Sequence, residues 1–352
     1  MKSILQDDET AGGRGMSDLV TDLIRASVYS IPNANVLSAF TKAMAVLPRY
    51  ERIVVSISGG SDSDIVLDMI ERVRRLCPVE GYEIHYVFFD TGLEYQATKD
   101  HLEYLEKRYG IEIHRERPEM PIPAAVKKYG WPFLSKDISE KIETLLLHEF
   151  DFAGNVKGDC KWALSWWNNA RQGQRYNIDN YPYLKDFLMK YPPEEKIAAK
   201  CCHYAKKKLA EECYVKYRAQ LSVIGVRKSE GGVRSTAYKN CYTQRDDKID
   251  QFRPVFWLTD QDKRDYEDYF GIVHSRCYTE YGLKRTGCVG CPFGRNVLDE
   301  LAIIKKYEPK LYKACMSVFG KSYEYTRQYR EFREEMKRKA KEDPDQLKME
   351  GI

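Results

Sequence analysis

Apolar residues in this chain gather in short runs separated by stretches of helical periodicity. Ile53-Val54-Val55-Ser56-Ile57 and Ile84-His85-Tyr86-Val87-Phe88-Phe89 are short, β-branched or aromatic, and read as strands. Further strands are predicted near 111–115 and 221–226. Ile65, Val66, Leu67, Met69, Ile70, Val73 and Leu76 recur at helical spacing and predict a helix over 64–76, with another over 97–109. Strand–helix alternation with fully apolar strands predicts an α/β fold: a mostly parallel twisted sheet with helices on both faces. One lead-in helix is expected between Ser17 and Leu47, behind a flexible segment at residues 1–20. Near 322–341, Tyr325, Tyr329, Phe332 and Met336 share one helical face, ringed by Arg327, Arg330, Arg333, Lys337 and Arg338. That pattern predicts an amphipathic helix docked by its apolar side.

The first strand runs into Ser58-Gly59-Gly60-Ser61-Asp62-Ser63 and then into a helix. Glycines let backbone approach an anion closely, and the N–H groups and dipole of the following helix favour negative charge. Ser58, Ser61 and Ser63 add hydroxyl donors, and Asp62 is suited to orient Mg²⁺ or water. The spacing matches neither Gly-x-x-x-x-Gly-Lys-Ser/Thr nor Gly-x-Gly-x-x-Gly, which argues against a kinase-type loop and a dinucleotide fold. The second strand ends in Asp90-Thr91-Gly92, an acid, a hydroxyl and a glycine expected at the same end of the sheet. A plain turn with Asp90 as a helix cap remains the alternative there.

Composition narrows the class. The chain has 352 residues, a net charge of +4 and ten cysteines. A charge that mild does not identify a nucleic-acid binder. No run of about 18 apolar residues occurs, and the amino terminus lacks a signal-peptide apolar stretch, so a soluble, cytoplasmic protein with no membrane partner is expected. Its cysteines are then free, metal-bound or catalytic rather than a disulfide framework. Cys201-Cys202 and Cys288-Val289-Gly290-Cys291 together form the minimum set for a zinc ion or a four-iron cluster. Adjacent cysteines suit tetrahedral zinc poorly. Cys277 and Cys241 are alternative ligands.

Ser-Gly-Gly-x-Asp-Ser resembles the pyrophosphate-binding loop of the PP-loop ATP pyrophosphatases (adenine nucleotide alpha hydrolase-like). With Asp90-Thr91-Gly92, the chain is similar to the phosphoadenosine phosphosulfate (PAPS) reductase family of that superfamily. Gly130-Trp131-Pro132-Phe133-Leu134-Ser135-Lys136 looks like that family's loop approaching the phosphates, which implies Lys136 as a cationic contact. Leu221 to Arg227, followed by Arg234-Ser235, resembles its strand and arginine loop, and both arginines offer planar donor forks. The Cys-Cys and Cys-x-x-Cys pairs resemble the 4Fe-4S motif of adenylyl-sulfate (APS) reductases. The segment from Arg253 to Asp262 and that from Tyr281 to Cys288 extend the resemblance.

The resemblance implies a nucleotide-binding α/β domain at 49–255, behind a lead-in at 1–48, and a cysteine-bearing C-terminal lid at 256–352. Unlike the reductases, the chain keeps the ATP form of the loop with Asp62, and its end, Gln346 to Ile352, carries no nucleophilic-cysteine tail. ATP pyrophosphatase chemistry coupled to sulfur transfer is therefore expected, similar to the ATP pyrophosphatase of DNA phosphorothioation systems. In it Ser58, Gly59, Gly60, Ser61 and Ser63 bind phosphates with Mg²⁺, while Lys136 and Arg227 offset developing charge. Cys201, Cys202, Cys288 and Cys291 hold the cluster, and a cysteine desulfurase supplies sulfur. One alternative is an APS or PAPS reductase served by thioredoxin, with Cys315 or Cys277 as nucleophile; another is a nucleotide-binding subunit of a larger complex. Residues 151–195 mix Lys161, Trp162, Trp166, Trp167, Arg171, Arg175 and Tyr176, either a nucleic-acid contact or a helical subdomain with its own aromatic core. Because Trp166 and Trp167 point to different faces of a helix, at most one is expected in a core.

Overall fold

The computed structural model describes residues 16–78, 81–170, 176–231, 236–246, 248–294 and 296–342. Two helices, α1 (Met16–Tyr29) and α2 (Ala34–Val46), precede β1 (Arg52–Ser56). There follow α3 (Ser61–Leu76), β2 (Glu83–Phe89), α4 (Gln96–Tyr109) and β3 (Ile113–Glu116). A helical stretch comes next: α5 (Ile122–Tyr129), α6 (Lys136–Leu147), α7 (Lys161–Trp167) and α8 (Leu184–Lys190). Then α9 (Lys200–Cys202) passes through a π-helical segment, His203–Lys208, into α10 (Leu209–Lys216). The chain returns through β4 (Leu221–Ile224), β5 (Tyr242–Thr243) and β6 (Asp250–Phe252) to α11 (Asp260–Phe270) and α12 (Arg276–Thr279). It closes with α13 (Val297–Tyr307) and α14 (Pro309–Glu342).

Six strands bond in the order β3-β2-β1-β4-β6-β5, with helices on both sides of the sheet. β1 pairs parallel with β2 and β4, β4 parallel with β6, and only β5 on β6 is antiparallel among the pairings described. Successive strands are added on one side of β1 as far as β3 and on the other from β4 onward. The sheet therefore reverses its strand order between β1 and β4, and ligands of open parallel sheets bind outside the carboxyl ends at such a point.

The expected single lead-in helix is two. Pro32 has no N–H to continue α1, and the Asn33 side chain accepts from the N–H groups of Asn35 and Val36, capping a new helix. The third helix begins at Ser61 rather than residue 64, because Ser61, Asp62 and Ser63 are themselves its first turn. Short polar and acidic side chains are favoured there by the orphan N–H groups and the dipole. The C-terminal helix is longer than the apolar face predicted, starting at Pro309, whose fixed φ suits the first helical position.

The chain divides into two compact units, residues 1–88, 100–114 and 213–275, and residues 89–99, 115–212 and 276–352. Each has its own apolar cluster. In the first, Phe40 of α2 is fully buried with its ring 5.8 Å from that of Tyr266 and 5.7 Å from that of Phe270. In the second, Phe133, Phe187, Tyr325 and Tyr329 form one aromatic nucleus. Both Trp166 and Trp167 are buried there, contrary to the expectation of at most one. The helix carrying them has only seven residues and is enclosed: Phe150 and Phe152 meet Trp167 edge-on, and Lys141 lies over Trp166. Neither indole face is open to a base. Arg171 and Arg175 lie outside the described residues, as does the chain end from Gln346 to Ile352. The basic flank of α14 is laced with acids, Arg327 pairing with Glu324 and Glu331, and Lys337 with Glu334. No helix among the described residues is long and apolar enough to cross a membrane.

Phe40→Ala empties a closed aromatic stack, so urea unfolding followed by circular dichroism should show a loss of about 3–5 kcal/mol in the first unit.

Candidate functional site

In the first unit, the Ser58–Ser63 turn and the Gly225–Arg227 turn follow β1 and β4, the strands flanking the reversal point. The serines lock the turn. Ser63 Oγ donates to the Gly60 carbonyl at 2.8 Å, Ser58 N donates to Ser63 Oγ at 3.2 Å, and Gly60 N to Ser58 Oγ at 3.3 Å. Ser63 is buried, so its hydroxyl shapes the loop.

Asp62, at the first turn of α3, is the hub. Arg227 Nε donates to Asp62 Oδ1 at 2.9 Å, and Lys263 Nζ donates to the same oxygen at 2.9 Å and also bonds Ser61 Oγ. Arg227 further donates from Nη1 to Asp260 Oδ1 at 2.7 Å and to Ser229 Oγ at 2.8 Å. Its burial opposes the charge, but Asp62 and Asp260 outweigh that and keep the guanidinium firmly protonated. The glycine before this turn has a steric reason. A Cβ on Gly225 would stand 3.1 Å from the carbonyl carbon and oxygen of Asp62 and from Ser63 N. The backbones after β4 and β1 thus nearly touch, which is what carries Arg227 to Asp62.

Behind the loop the network continues. His274 Nδ1 lies 2.7 Å from Asp64 Oδ2 and Nε2 lies 2.8 Å from Glu267 Oε1. Both partners accept, so both ring nitrogens donate and the ring is an imidazolium. Burial works against that charge, but the two carboxylates push the His274 pKa up to about 9. Asp64 is 1% exposed; burial opposes its charge, yet His101 and His274 hold it below the usual carboxylate range. His101 Nε2 is 3.1 Å from Asp64 Oδ2 but makes no hydrogen bond to it, and Asp64 Oδ1 has no hydrogen-bond partner among the described residues. Lys263 stands 3.7 Å from Glu267, linking this cluster to the loop.

The second unit contains the other predicted residues. Asp90 pairs with Arg117 at 3.0 Å and caps Gly92 N at 3.2 Å. Thr91 is fully buried and donates from Oγ1 to Glu94 Oε1 at 2.5 Å. Burial lifts the Glu94 carboxyl to about 7, against the hydrogen bonds of Thr91 and the charge of Lys206.

Cys201, Cys202, Cys288 and Cys291 line one cavity, walled by Ile122, Pro132, Ala205, Lys206, Pro292 and Phe319. The π-helical segment widens the turn after Cys202 and carries Lys206. The hydrogen bond from the Cys201 thiol, with Lys136 and Lys206 alongside, holds Cys202 below the ordinary thiol range despite its burial. Burial raises Cys288 and pushes Cys291 up to about 12. Burial opposes the Lys206 charge, but Cys288 and Glu94 hold its pKa up. Gly290 adopts φ +62° between the two later cysteines, where a Cβ would meet Tyr323 Oη at 2.6 Å and Cys315 Sγ at 3.0 Å. Among the described residues no three His, Cys, Asp or Glu side chains are gathered as a single metal ion requires. The four thiols in one apolar pocket with a buried cation nevertheless fit, in donor chemistry, a thiolate-bound anionic cluster. Cys277 and Cys315 are both fully buried, the first against Thr98 and the second against the Val289 carbonyl. Cys241 belongs to the first unit. Arg234 lies outside the described residues.

Residues 52–146 match the phosphoadenosine phosphosulfate reductase domain. Over that segment, the chain is similar to the PAPS reductase family. Adenosine 5'-phosphosulfate reductase 2 of Bacillus subtilis is 32% identical over 81 residues, 23% of this chain and 31% of that protein. The tRNA-cytidine(32) 2-sulfurtransferase of Geotalea uraniireducens is 33% identical over 132 residues, 30% of this chain and 52% of that one. The chain thus spans about half or less of the length of these curated relatives. A crystal structure of phosphoadenylyl-sulfate reductase from Candida auris aligns over 79% of this chain and 98% of its own, at 12% identity and a TM-score of 0.38.

Three side chains of the network around Asp62 escaped the sequence reading. Lys263, Asp260 and Glu267 sit on α11, about 200 residues beyond the loop. The clue was present in the capping box of Thr259 and Asp262, which marks the α11 start.

The His274 imidazolium gives a signed pH dependence. Its folded pKa is raised, so its contribution is complete below the unfolded value near 6.5 and is lost as pH rises through about 9. Urea unfolding should therefore show up to about 3 kcal/mol less stability at pH 9.5 than at pH 6.5, a slope that His274→Gln removes.

Proposed function

We propose that this chain is an ATP pyrophosphatase that activates an acceptor oxygen for replacement by sulfur. The observation that carries the reading is the Asp62 carboxylate held between Arg227 and Lys263 in a helix-start phosphate loop. Two cations and the first turn of α3 make a site for several adjacent anionic oxygens, as in the β,γ-phosphates of ATP. Asp62 would hold Mg²⁺ brought in with ATP, which would supply charge neutralisation on the phosphates, and Arg227 and Lys263 would offer their donors to phosphate oxygens. The acceptor oxygen attacks the α-phosphorus, the bond to the bridging oxygen breaks, and pyrophosphate leaves with the charge that Arg227 and Lys263 neutralise. Sulfide then displaces AMP from the adenylated acceptor, its bond to the acceptor forming as the bond to the AMP oxygen breaks.

The donor set of Cys201, Cys202, Cys288 and Cys291 supports a 4Fe-4S cluster in the second unit, with Lys206 and Lys136 offsetting its negative charge. Such a cluster would supply iron chemistry for handling sulfur. A sulfur relative acting on tRNA supports a nucleic-acid acceptor. The reductase alternative needs a reachable nucleophilic thiol, and both of its candidates are sealed: burial pushes Cys315 up to about 12, and Cys277 is fully enclosed.

Anaerobically purified protein with Mg-ATP and the nucleic-acid acceptor should release pyrophosphate and form no sulfite from APS or PAPS. Asp62→Asn should lower turnover at least about 100-fold, and Lys263→Met should raise KM for ATP about tenfold or more, each losing a charge-assisted contact. Cys288→Ser should cut iron content while nucleotide binding persists. Sulfite formation, or full turnover in Asp62→Asn, contradicts the reading.

A further inference from the structure

The second unit carries a basic aromatic surface that the reading above does not use. Trp131 and Ile197 form an isolated parallel bridge, with Trp131 N donating to the Lys196 carbonyl at 3.1 Å and Ala198 N to the Trp131 carbonyl at 3.1 Å. This bridge aligns the end of α5 with the start of α9. Gly130 lies so close to Lys196 that a Cβ would stand 2.2 Å from its carbonyl oxygen. As a result Tyr129 and Tyr204 stack face to face, ring centroids 5.0 Å apart and planes 4° from parallel, with Tyr129 Oη donating to Tyr204 Oη at 2.9 Å. His203 meets Tyr204 edge-on at 4.9 Å, and Lys128 Nζ lies 5.2 Å from the Tyr129 centroid.

Lys128, Lys196 and Lys207 are exposed and pair with no carboxylate among the described residues. Of the acids nearby, Glu119 and Glu212 are engaged with Lys208, and Glu143 with Lys200. Neither tyrosine is buried, so the stack is not a core contact. Cation-rimmed aromatic faces are how proteins hold single-stranded nucleic acid: rings stack on bases while ammonium groups track phosphates. An acidic protein partner would exploit the lysines and leave the stacked rings without a role. The position is telling as well, because Tyr204 and Lys207 lie on the π-helical segment directly after Cys201-Cys202.

We propose that Lys128, Tyr129, Lys196, His203, Tyr204 and Lys207 form the contact surface for a single-stranded nucleic-acid acceptor, replacing residues 151–195 in that role. The inference rests on the acceptor reading above and names the surface that would serve it. Bases would stack at the edge of the tyrosine pair, bringing the bound strand to the helical segment that bears Cys201 and Cys202.

The test is fluorescence anisotropy with a labelled single-stranded RNA of about 16 nucleotides, across a salt series, using the full iron-loaded chain. Tyr204→Ala should weaken binding about tenfold, while Tyr204→Phe, which keeps the stack, should stay within about twofold of the parent. Lys128→Glu with Lys207→Glu should weaken binding and reduce the salt slope by about two. Acceptor-independent nucleotide binding and iron content, measured on the same samples, should be unchanged in all variants. If the parent binds RNA and every variant binds equally well, the surface is overturned while the acceptor reading survives. If the parent binds no RNA yet binds ATP, the surface and the nucleic-acid acceptor fall together and the nucleotide reading stands. Equal affinity for polyglutamate of matched charge also overturns the proposal, because stacking would then contribute nothing.

Discussion

The first unit is organised around one carboxylate, Asp62, that holds two cations from distant parts of the chain. Arg227 comes from the turn after β4 and Lys263 from the first turn of α11, and both reach the same oxygen. An ion pair in water is worth little, but here the three side chains are largely withdrawn from solvent, at 8%, 16% and 12% exposure for Arg227, Lys263 and Asp62. Removing one member of such a cluster leaves the others uncompensated, so α3, the β4 turn and α11 are constrained together. The near contact at Gly225 makes this geometry accessible, and the His274 imidazolium extends it between Asp64 and Glu267. In the proposed function, these cations, charged and held at a helix start, would serve an anion with several oxygens.

The second unit solves a different problem, keeping four thiols in an apolar cavity. Burial disfavours thiolate, and Lys206 offers the compensating charge from a π-helical segment that an ordinary helix would have turned elsewhere. Gly290 is required on the opposite wall, since any side chain there would strike Tyr323 and Cys315. Cys315 is therefore part of the packing that supports the Cys-x-x-Cys turn.

Much of this was legible in the sequence. The apolar runs of β1 and β2, the helical spacing of α3 and the glycines between them announce a strand–loop–helix unit, because burial on both faces and tight turning leave few other residue choices. The cysteine pairs were legible as one group despite the 85 residues between Cys202 and Cys288. Partners set by tertiary packing were not legible. Lys263 and His274 belong to polar stretches that look like solvated surface, and nothing local distinguishes a lysine that folds back onto the Ser58–Ser63 turn from one facing water. The tryptophan pair misled for the opposite reason: a one-helix argument about faces fails when a seven-residue helix is enclosed on several sides. The break at Pro32 and Asn33 was readable, since proline followed by a capping residue ends one helix and starts another.

The central claim is that the loop around Asp62 binds terminal phosphates. Isothermal titration of the anaerobic protein with Mg-ATP, APS and AMP addresses it directly. Two charge-assisted contacts to the β,γ-phosphates predict that ATP binds at least about 100-fold more tightly than AMP or APS. AMP or APS binding as tightly as ATP would contradict the account, because the Arg227 and Lys263 cations would then have no polyphosphate to hold.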